Sequence, residues 1–140
     1  MTSSSKFFYG VMCAAGVVLA LTGIGTYAIG HPPMTHWVLM THVAVAPLFA
    51  LALAAVALTW PGACTRDAGS GLSGMAKFLF WVILLCGLVV LLTGVVPMTP
   101  VFGARGQHAL YLLHRYSALV LTVAVLLHLP ALFRRPAAKV

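Results

Sequence analysis

Three histidines lie in one apolar stretch of the chain, between Gln107 and Phe133. They are His108, His114 and His128, and ionisable side chains inside a membrane-spanning segment are rare and usually functional. His114 and His128 are 14 residues apart, so on a helix they return to within roughly 40° of each other, about 21 Å apart along the axis. Imidazole is an axial ligand of haem iron. A helix that carries two b-type haems, one near each side of a bilayer, needs such spacing.

The apolar composition of the chain predicts an integral membrane protein. Hydrophobic residues make up 62% and charged residues 6% of the chain, and mean hydropathy is +1.07. Four apolar segments are long enough to span a bilayer: about residues 7–30, 34–60, 76–98 and 107–133. Stretches rich in proline and glycine separate them, and none shows the alternating pattern of barrel strands. The prediction is an all-α four-helix membrane bundle, a single domain over residues 1–140.

The basic residues are distributed unequally between the two sides of the predicted bundle. The net charge is +7. Arg105 and Arg115 fall on one side, and six residues fall on the other: Lys6, Arg66, Lys77, Arg134, Arg135 and Lys139. By the positive-inside rule both termini are cytoplasmic, in a bacterial inner membrane. The basic charge therefore indicates topology and contact with membrane lipid, and it does not indicate nucleic-acid binding.

Several function classes lack the residues they need. Asp67 is the single acidic residue and lies in a predicted cytoplasmic loop. The chain therefore has no membrane-embedded carboxylate for a proton-coupled transporter and no acid–base pair for a hydrolase. Cys13, Cys64 and Cys86 form no C-x-x-C pattern, which argues against disulfides, a thiolate zinc site and covalent haem attachment.

The chain contains an internal repeat. Residues 6–24 and 77–95 match at an offset of 71, including a Leu-Thr-Gly string at 21–23 and 92–94. At an offset of 72, two histidines of the second segment match two of the fourth: His36 with His108, and His42 with His114. This pattern predicts two helical hairpins of one design, related by an axis along the membrane normal.

The repeat brings four of these residues to one predicted depth. His42 and His114 lie about 8–9 Å to the periplasmic side of their helix midpoints, and Gly23 and Gly94 lie about 7 Å and 10 Å to the same side. In a ring of four helices the second and fourth are diagonal, so the imidazoles can face each other, and the glycines leave room for a flat macrocycle. The prediction is a bis-His haem site; the alternative is a pair of histidines that only hydrogen-bond between helices. Arg115 is either a propionate partner or an interfacial cation.

The remaining histidines leave alternatives open. His128 lies about 12 Å to the cytoplasmic side, where the repeat offers Val56 instead of a second histidine. Met12 lies at this depth, and methionine can ligate haem iron. Three alternatives remain for His128. It holds a second haem together with Met12 or another ligand, it serves a quinone site, or it is a relic. His36 and His108 form a polar belt at the interface, or one of them exchanges quinol protons.

With histidines at His42, His114 and His128, the chain resembles the four-helix b-type cytochromes. These include the membrane subunits of formate dehydrogenases and nickel-iron hydrogenases, and cytochrome b561-like proteins. The resemblance implies that His42 and His114 hold a periplasmic-side haem b and that His128 holds a second one. The family's partner for that second ligand is a histidine on the first or second helix, and this chain has no histidine there at the depth of His128.

The resemblance also implies a function. Such a subunit passes electrons between a quinone or quinol pool and a redox subunit in the periplasm or membrane, as part of an oxidoreductase complex and not as a stand-alone enzyme. The alternative function is a haem-free four-helix membrane anchor or assembly subunit. A third hypothesis, a histidine-lined transporter of metals or small solutes, is disfavoured by the missing acidic residues.

Overall fold

The described part of the chain is entirely helical. The computed structural model describes residues 3–30, 34, 36–66 and 74–133. They form four long helices, with a short 3-10 helix at Val96–Met98: α1 (Ser3–Ala28), α2 (His36–Arg66), α3 (Gly74–Val95) and α4 (Ala104–Phe133). All four are long and apolar enough to cross a membrane. For the described residues, the prediction of an all-α protein with four helices long and apolar enough to span a membrane is confirmed.

The helix ends differ from the predicted ones by a few residues. The largest difference is at α2, which continues past Pro61 to Arg66, whereas the sequence predicted a joint after residue 60. Pro61 lies just beyond the part of α2 that is long and apolar enough to span a membrane, which ends at Thr59. A proline lacks one backbone N–H donor, and this loss by itself does not end the helix here. Four charged residues assigned from the sequence to the cytoplasmic side lie outside the described residues: Asp67, Arg134, Arg135 and Lys139.

The helices pack mainly in sequential pairs. α1 packs along α2 and α3 along α4, while smaller contacts between α1 and α4 and between α2 and α3 complete a ring. The first pair is antiparallel, because Gly16 lies opposite Phe49 whereas the later Gly23 lies opposite the earlier His42. The ring order places α2 and α4 on a diagonal. Side chains from these two helices can therefore meet across the centre of the bundle.

One half of the bundle is tightly packed. The buried core comes from the first half of α1 and α3 and from the second half of α2 and α4, which is the end nearest both chain termini. Its largest members include Tyr9, Met12, Phe49, Leu53, Val56, Leu79, Phe80, Ile83, Leu121 and His128. The opposite half of the bundle has few fully buried side chains among the described residues. The two ends of the bundle thus differ in how closely the helices approach each other.

A glycine allows α3 to approach α2 in the packed half. Gly87 is buried, and a Cβ atom built on it would lie 2.6 Å from Cδ2 and 3.3 Å from Cδ1 of Leu53. Leu53 is itself buried, so its side chain has little room to move away. The contact between the two helix pairs therefore depends on the missing side chain at position 87.

Gly87→Ala should destabilise the protein by about 1–3 kcal/mol, because overpacking a buried contact forces neighbouring side chains out of place. Gly10→Ala is the matched control, since nothing lies within 4 Å of a Cβ at Gly10. The control should leave stability unchanged or raise it by up to about 1 kcal/mol through helix propensity. Denaturant-induced unfolding in detergent micelles, followed by circular dichroism, measures both. Equal stabilities of the two variants would contradict the packing argument.

Candidate functional site

The structure brings His42 of α2 and His114 of α4 together in the open half of the bundle. Their ring centroids are 6.4 Å apart and the ring planes are inclined by 64°. Both residues are half-buried. The two histidines that the repeat predicted at one depth therefore face each other across the diagonal of the helix ring.

The hydrogen bonds of His114 determine which ring nitrogen carries the proton. Its Nδ1 lies 3.0 Å from the carbonyl oxygen of Val90 and 3.1 Å from Oγ1 of Thr93. A carbonyl oxygen can only accept a hydrogen bond, so Nδ1 must be the protonated nitrogen. In a neutral imidazole the other nitrogen, Nε2, then has its lone pair available.

His42 is held in a similar way by α1. Its Nδ1 lies 2.8 Å from Oγ1 of Thr22, and that hydroxyl also lies 2.8 Å from the carbonyl oxygen of Val18. Because the hydroxyl has one proton and donates it to the carbonyl, it accepts the hydrogen bond from Nδ1 of His42. Nε2 of His42 therefore also presents a lone pair, and no hydrogen bond from the described residues reaches either Nε2.

The distance between the rings suits a shared metal. A metal–imidazole bond is about 2.0–2.1 Å and a ring nitrogen lies about 1.1 Å from its ring centre, so two imidazoles on opposite sides of one metal have centres about 6.3 Å apart. The observed separation is 6.4 Å. The described residues contain no group of three or more histidine, cysteine or acidic side chains that could hold a metal ion. The pair therefore suits a metal that brings its other ligands with it.

A cavity of about 420 Å³ adjoins the two histidines. Its walls come from α1, α2 and α4 together with Met34. The lining residues include Gly23, His42, His114 and Arg115. This volume lies within the range of about 300–1,000 Å³ that is usual for cofactor and ligand pockets. The cavity is mainly apolar, with a small number of polar groups, so it suits a largely apolar ligand.

Each of the two predicted glycines contacts the histidine of its own helix pair. A Cβ atom on Gly23 would lie 3.4 Å from Cε1 of His42, and one on Gly94 would lie 3.5 Å from Cε1 of His114. The sequence assigned these glycines to clearance for a macrocycle. In the structure the nearest side chain to each glycine is the imidazole of its own helix pair, with the Cε1 edge of the ring toward the glycine. Their role in clearance for a macrocycle stays a prediction.

Arg115 lies at the edge of this cavity between two tyrosines. Its Cζ lies 4.4 Å from the ring centroid of Tyr27 and 5.0 Å from that of Tyr116, and its Nη2 donates a 3.2 Å hydrogen bond to the hydroxyl of Tyr116. Such cation–π contacts hold a guanidinium in place while leaving other N–H groups available. The sequence did not lead us to expect the contacts of Arg115 with these two tyrosines. The signal for one of them was that Tyr116 directly follows Arg115 in the chain.

His128 and Met12 lie in the packed half of the bundle. His128 is fully buried, and its Nδ1 lies 2.8 Å from the hydroxyl of Tyr9. Its ring also lies near that of Phe80, with centroids 6.4 Å apart. Met12 is 1% exposed in the same core. The roles of His128 and Met12 in a second haem site stay a prediction. The sequence did not lead us to expect the contact between His128 and Tyr9. The signal for it was that Tyr9 has a hydroxyl group where the matching residue of the repeat, Phe80, has none.

His36 and His108 lie outside the cavity. Both are exposed, at the beginnings of α2 and α4 respectively, and His36 has a positive φ of 51°. The structure does not bring them to the pair formed by His42 and His114. Their assignment to a quinone site or to an interfacial belt stays a prediction.

The comparisons with known proteins identify no relative. The chain matches no protein-family model, no curated protein and no solved structure. A functional assignment therefore depends on the residues of the site and their geometry.

Tyr9→Phe should lower the free energy of unfolding by about 1–3 kcal/mol, because it removes a hydrogen-bond partner of a buried imidazole. Tyr111→Phe, at an exposed tyrosine of α4, is the matched control and should be close to neutral. Unfolding in detergent measures both variants. If Tyr9→Phe is as stable as the control, the bond to His128 contributes nothing to the packed half.

Proposed function

We propose that the protein is a membrane b-type cytochrome, in which His42 and His114 are the axial ligands of one haem b. It transfers electrons between the quinone pool and a partner redox subunit. The observation that carries the proposal is the histidine pair itself: two Nε2 lone pairs on rings whose centroids are 6.4 Å apart, beside a mainly apolar cavity.

Each described part of the site has a role toward such a group. His42 and His114 supply the two nitrogen ligands, and the cavity walls provide a mainly apolar surface. Arg115, at the cavity edge, offers N–H donors to the carboxylates of a haem, a charge-assisted interaction. If haem binds between these two imidazoles, it would supply one-electron transfer.

We further propose that the bundle consists of two hairpins of the same design with both termini in the cytoplasm of a bacterium. The matching Thr22–His42 and Thr93–His114 contacts support the repeat. Lys6 and Lys77 lie in the first turns of α1 and α3, at the packed end of the bundle. Arg105 and Arg115 lie in the half of α4 toward the other end. By the positive-inside rule the haem site then lies in the periplasmic leaflet, where a partner subunit can exchange electrons with it.

The second candidate is a haem-free membrane anchor or assembly subunit of a larger complex. It is favoured by the hydrogen bonds that tie His42 to α1, His114 to α3 and His128 to Tyr9, since histidines that only join helices make such bonds. The two candidates differ in colour. A purified anchor protein is colourless, whereas a b-type cytochrome shows the α-band of reduced haem.

Purified protein should show the reduced-minus-oxidised α-band of haem b, and His42→Ala and His114→Ala should each abolish it, because each removes one axial ligand. His108→Ala is the matched control from the same helix and should retain the band. A colourless wild-type protein contradicts the proposal, and so does a band that survives both ligand substitutions.

His128→Ala measures the number of haems. The band stays at full height if the chain binds one haem and falls to about half if His128 ligates a second one. Iron content per chain, measured on the same preparations, gives an independent count.

Arg115→Gln should weaken haem binding by roughly 10–100-fold without abolishing the α-band, since a charge-assisted hydrogen bond is worth about 1.5–3 kcal/mol while both axial ligands remain. Haem titration of the apoprotein measures the affinity. Arg105→Gln, at an exposed arginine in the first turn of α4, is the matched control. Equal affinities of the two variants would exclude Arg115 as a carboxylate partner.

A further inference from the structure

The two histidines of the site are supported unequally from behind. His114 Nδ1 has two acceptors, the carbonyl oxygen of Val90 at 3.0 Å and Oγ1 of Thr93 at 3.1 Å. His42 Nδ1 has one acceptor among the described residues, Oγ1 of Thr22 at 2.8 Å. The orientation of His42 therefore depends on a single hydroxyl.

The hydroxyl of Thr22 is itself oriented by the backbone of α1. Oγ1 lies 2.8 Å from the carbonyl oxygen of Val18 and 3.1 Å from that of Leu19. Its proton is directed to these carbonyls, so its lone pairs point away from the helix and toward His42. Thr93 makes the same bonds to Val89 at 2.7 Å and Val90 at 3.2 Å.

We propose that Thr22 is a positioning residue that fixes the Nδ1–H form of His42 and thereby directs its Nε2 toward the iron. The Val90 carbonyl does the same for His114, with Thr93 as an additional acceptor. The inference rests on the proposed haem ligation. It makes the two axial ligands inequivalent: His42 loses its alignment when one hydroxyl is removed, whereas His114 does not.

The protein without haem gives the first test. Nitrogen NMR of ¹⁵N-histidine-labelled protein in detergent distinguishes a protonated from an unprotonated ring nitrogen, and single His→Gln variants assign the signals. His42 and His114 should both be in the Nδ1–H form. Thr22→Val, which keeps the side-chain shape, should shift His42 toward the Nε2–H form that free histidine favours, and Thr93→Val should leave His114 unchanged because the carbonyl remains.

The haem-loaded protein gives the second test. Thr22→Val should weaken haem binding by about 10–100-fold, the usual effect of losing a hydrogen bond behind a metal ligand. It should also raise the midpoint potential, because an imidazole without this bond donates less charge to the iron. Thr93→Val should have a smaller effect on both. Thr22→Ser restores the hydroxyl and should restore affinity and potential.

Thr122→Val is the matched control, since Thr122 makes the same bond to its own helix, 2.8 Å to the Ala118 carbonyl, and hydrogen-bonds to no histidine among the described residues. If Thr22→Val behaves like Thr122→Val, or if Thr22→Ser fails to restore the wild-type values, the positioning role is wrong while the haem proposal stands. An Nε2–H form of His42 in the wild-type apoprotein overturns it as well. A wild-type protein that binds no haem defeats the proposed function, and the positioning role with it, even when the NMR result is as expected.

Discussion

Polar side chains inside membrane-spanning helices must find their hydrogen bonds within the protein, because the surrounding lipid offers none. The threonines of this bundle satisfy that requirement by donating to carbonyls one turn earlier in their own helices, as Thr22 does to Val18. A hydroxyl whose proton is used in this way remains an acceptor. Where a histidine of the neighbouring helix faces it, the ring donates from Nδ1 and presents Nε2 on its far side. A general consequence of burial thus fixes which ring nitrogen of each histidine carries the proton.

The same constraint has different results at the two ends of the bundle. In the packed half, His128 of α4 is enclosed by the core, and its ring forms a hydrogen bond with the hydroxyl of Tyr9 on α1. In the open half, His42 and His114 each bond through Nδ1 to the other helix of their own pair, and both residues line a cavity. A buried ring that is surrounded by side chains stabilises helix packing. A half-buried ring beside a cavity is available for a ligand, which is why the functional proposal rests on the open half.

The surroundings of the two histidines are not equivalent, even though their helices match in sequence. Arg115 lies between Tyr27 and Tyr116 where α1 meets α4, and the residue that the repeat offers in place of Arg115 is Val43. Arg115 lines the cavity, whereas Val43 is not among the residues that line it. The positive charge beside the histidines therefore lies on the α1–α4 side.

The sequence by itself determined the four membrane-spanning helices, because apolar length alone requires a helix in lipid, and it determined which histidines could share a depth, because depth follows from position along a helix. It did not determine that α2 continues past Pro61, since a proline removes one backbone donor and disfavours a helix without always ending it. Only the tertiary structure decided the distance between the rings of His42 and His114, the burial of His128 against Tyr9, and the stacking of Arg115 on Tyr27. These contacts depend on how each helix is rotated about its axis. That rotation is set by close packing, such as the contact of Gly87 with Leu53, and not by any local pattern along one helix.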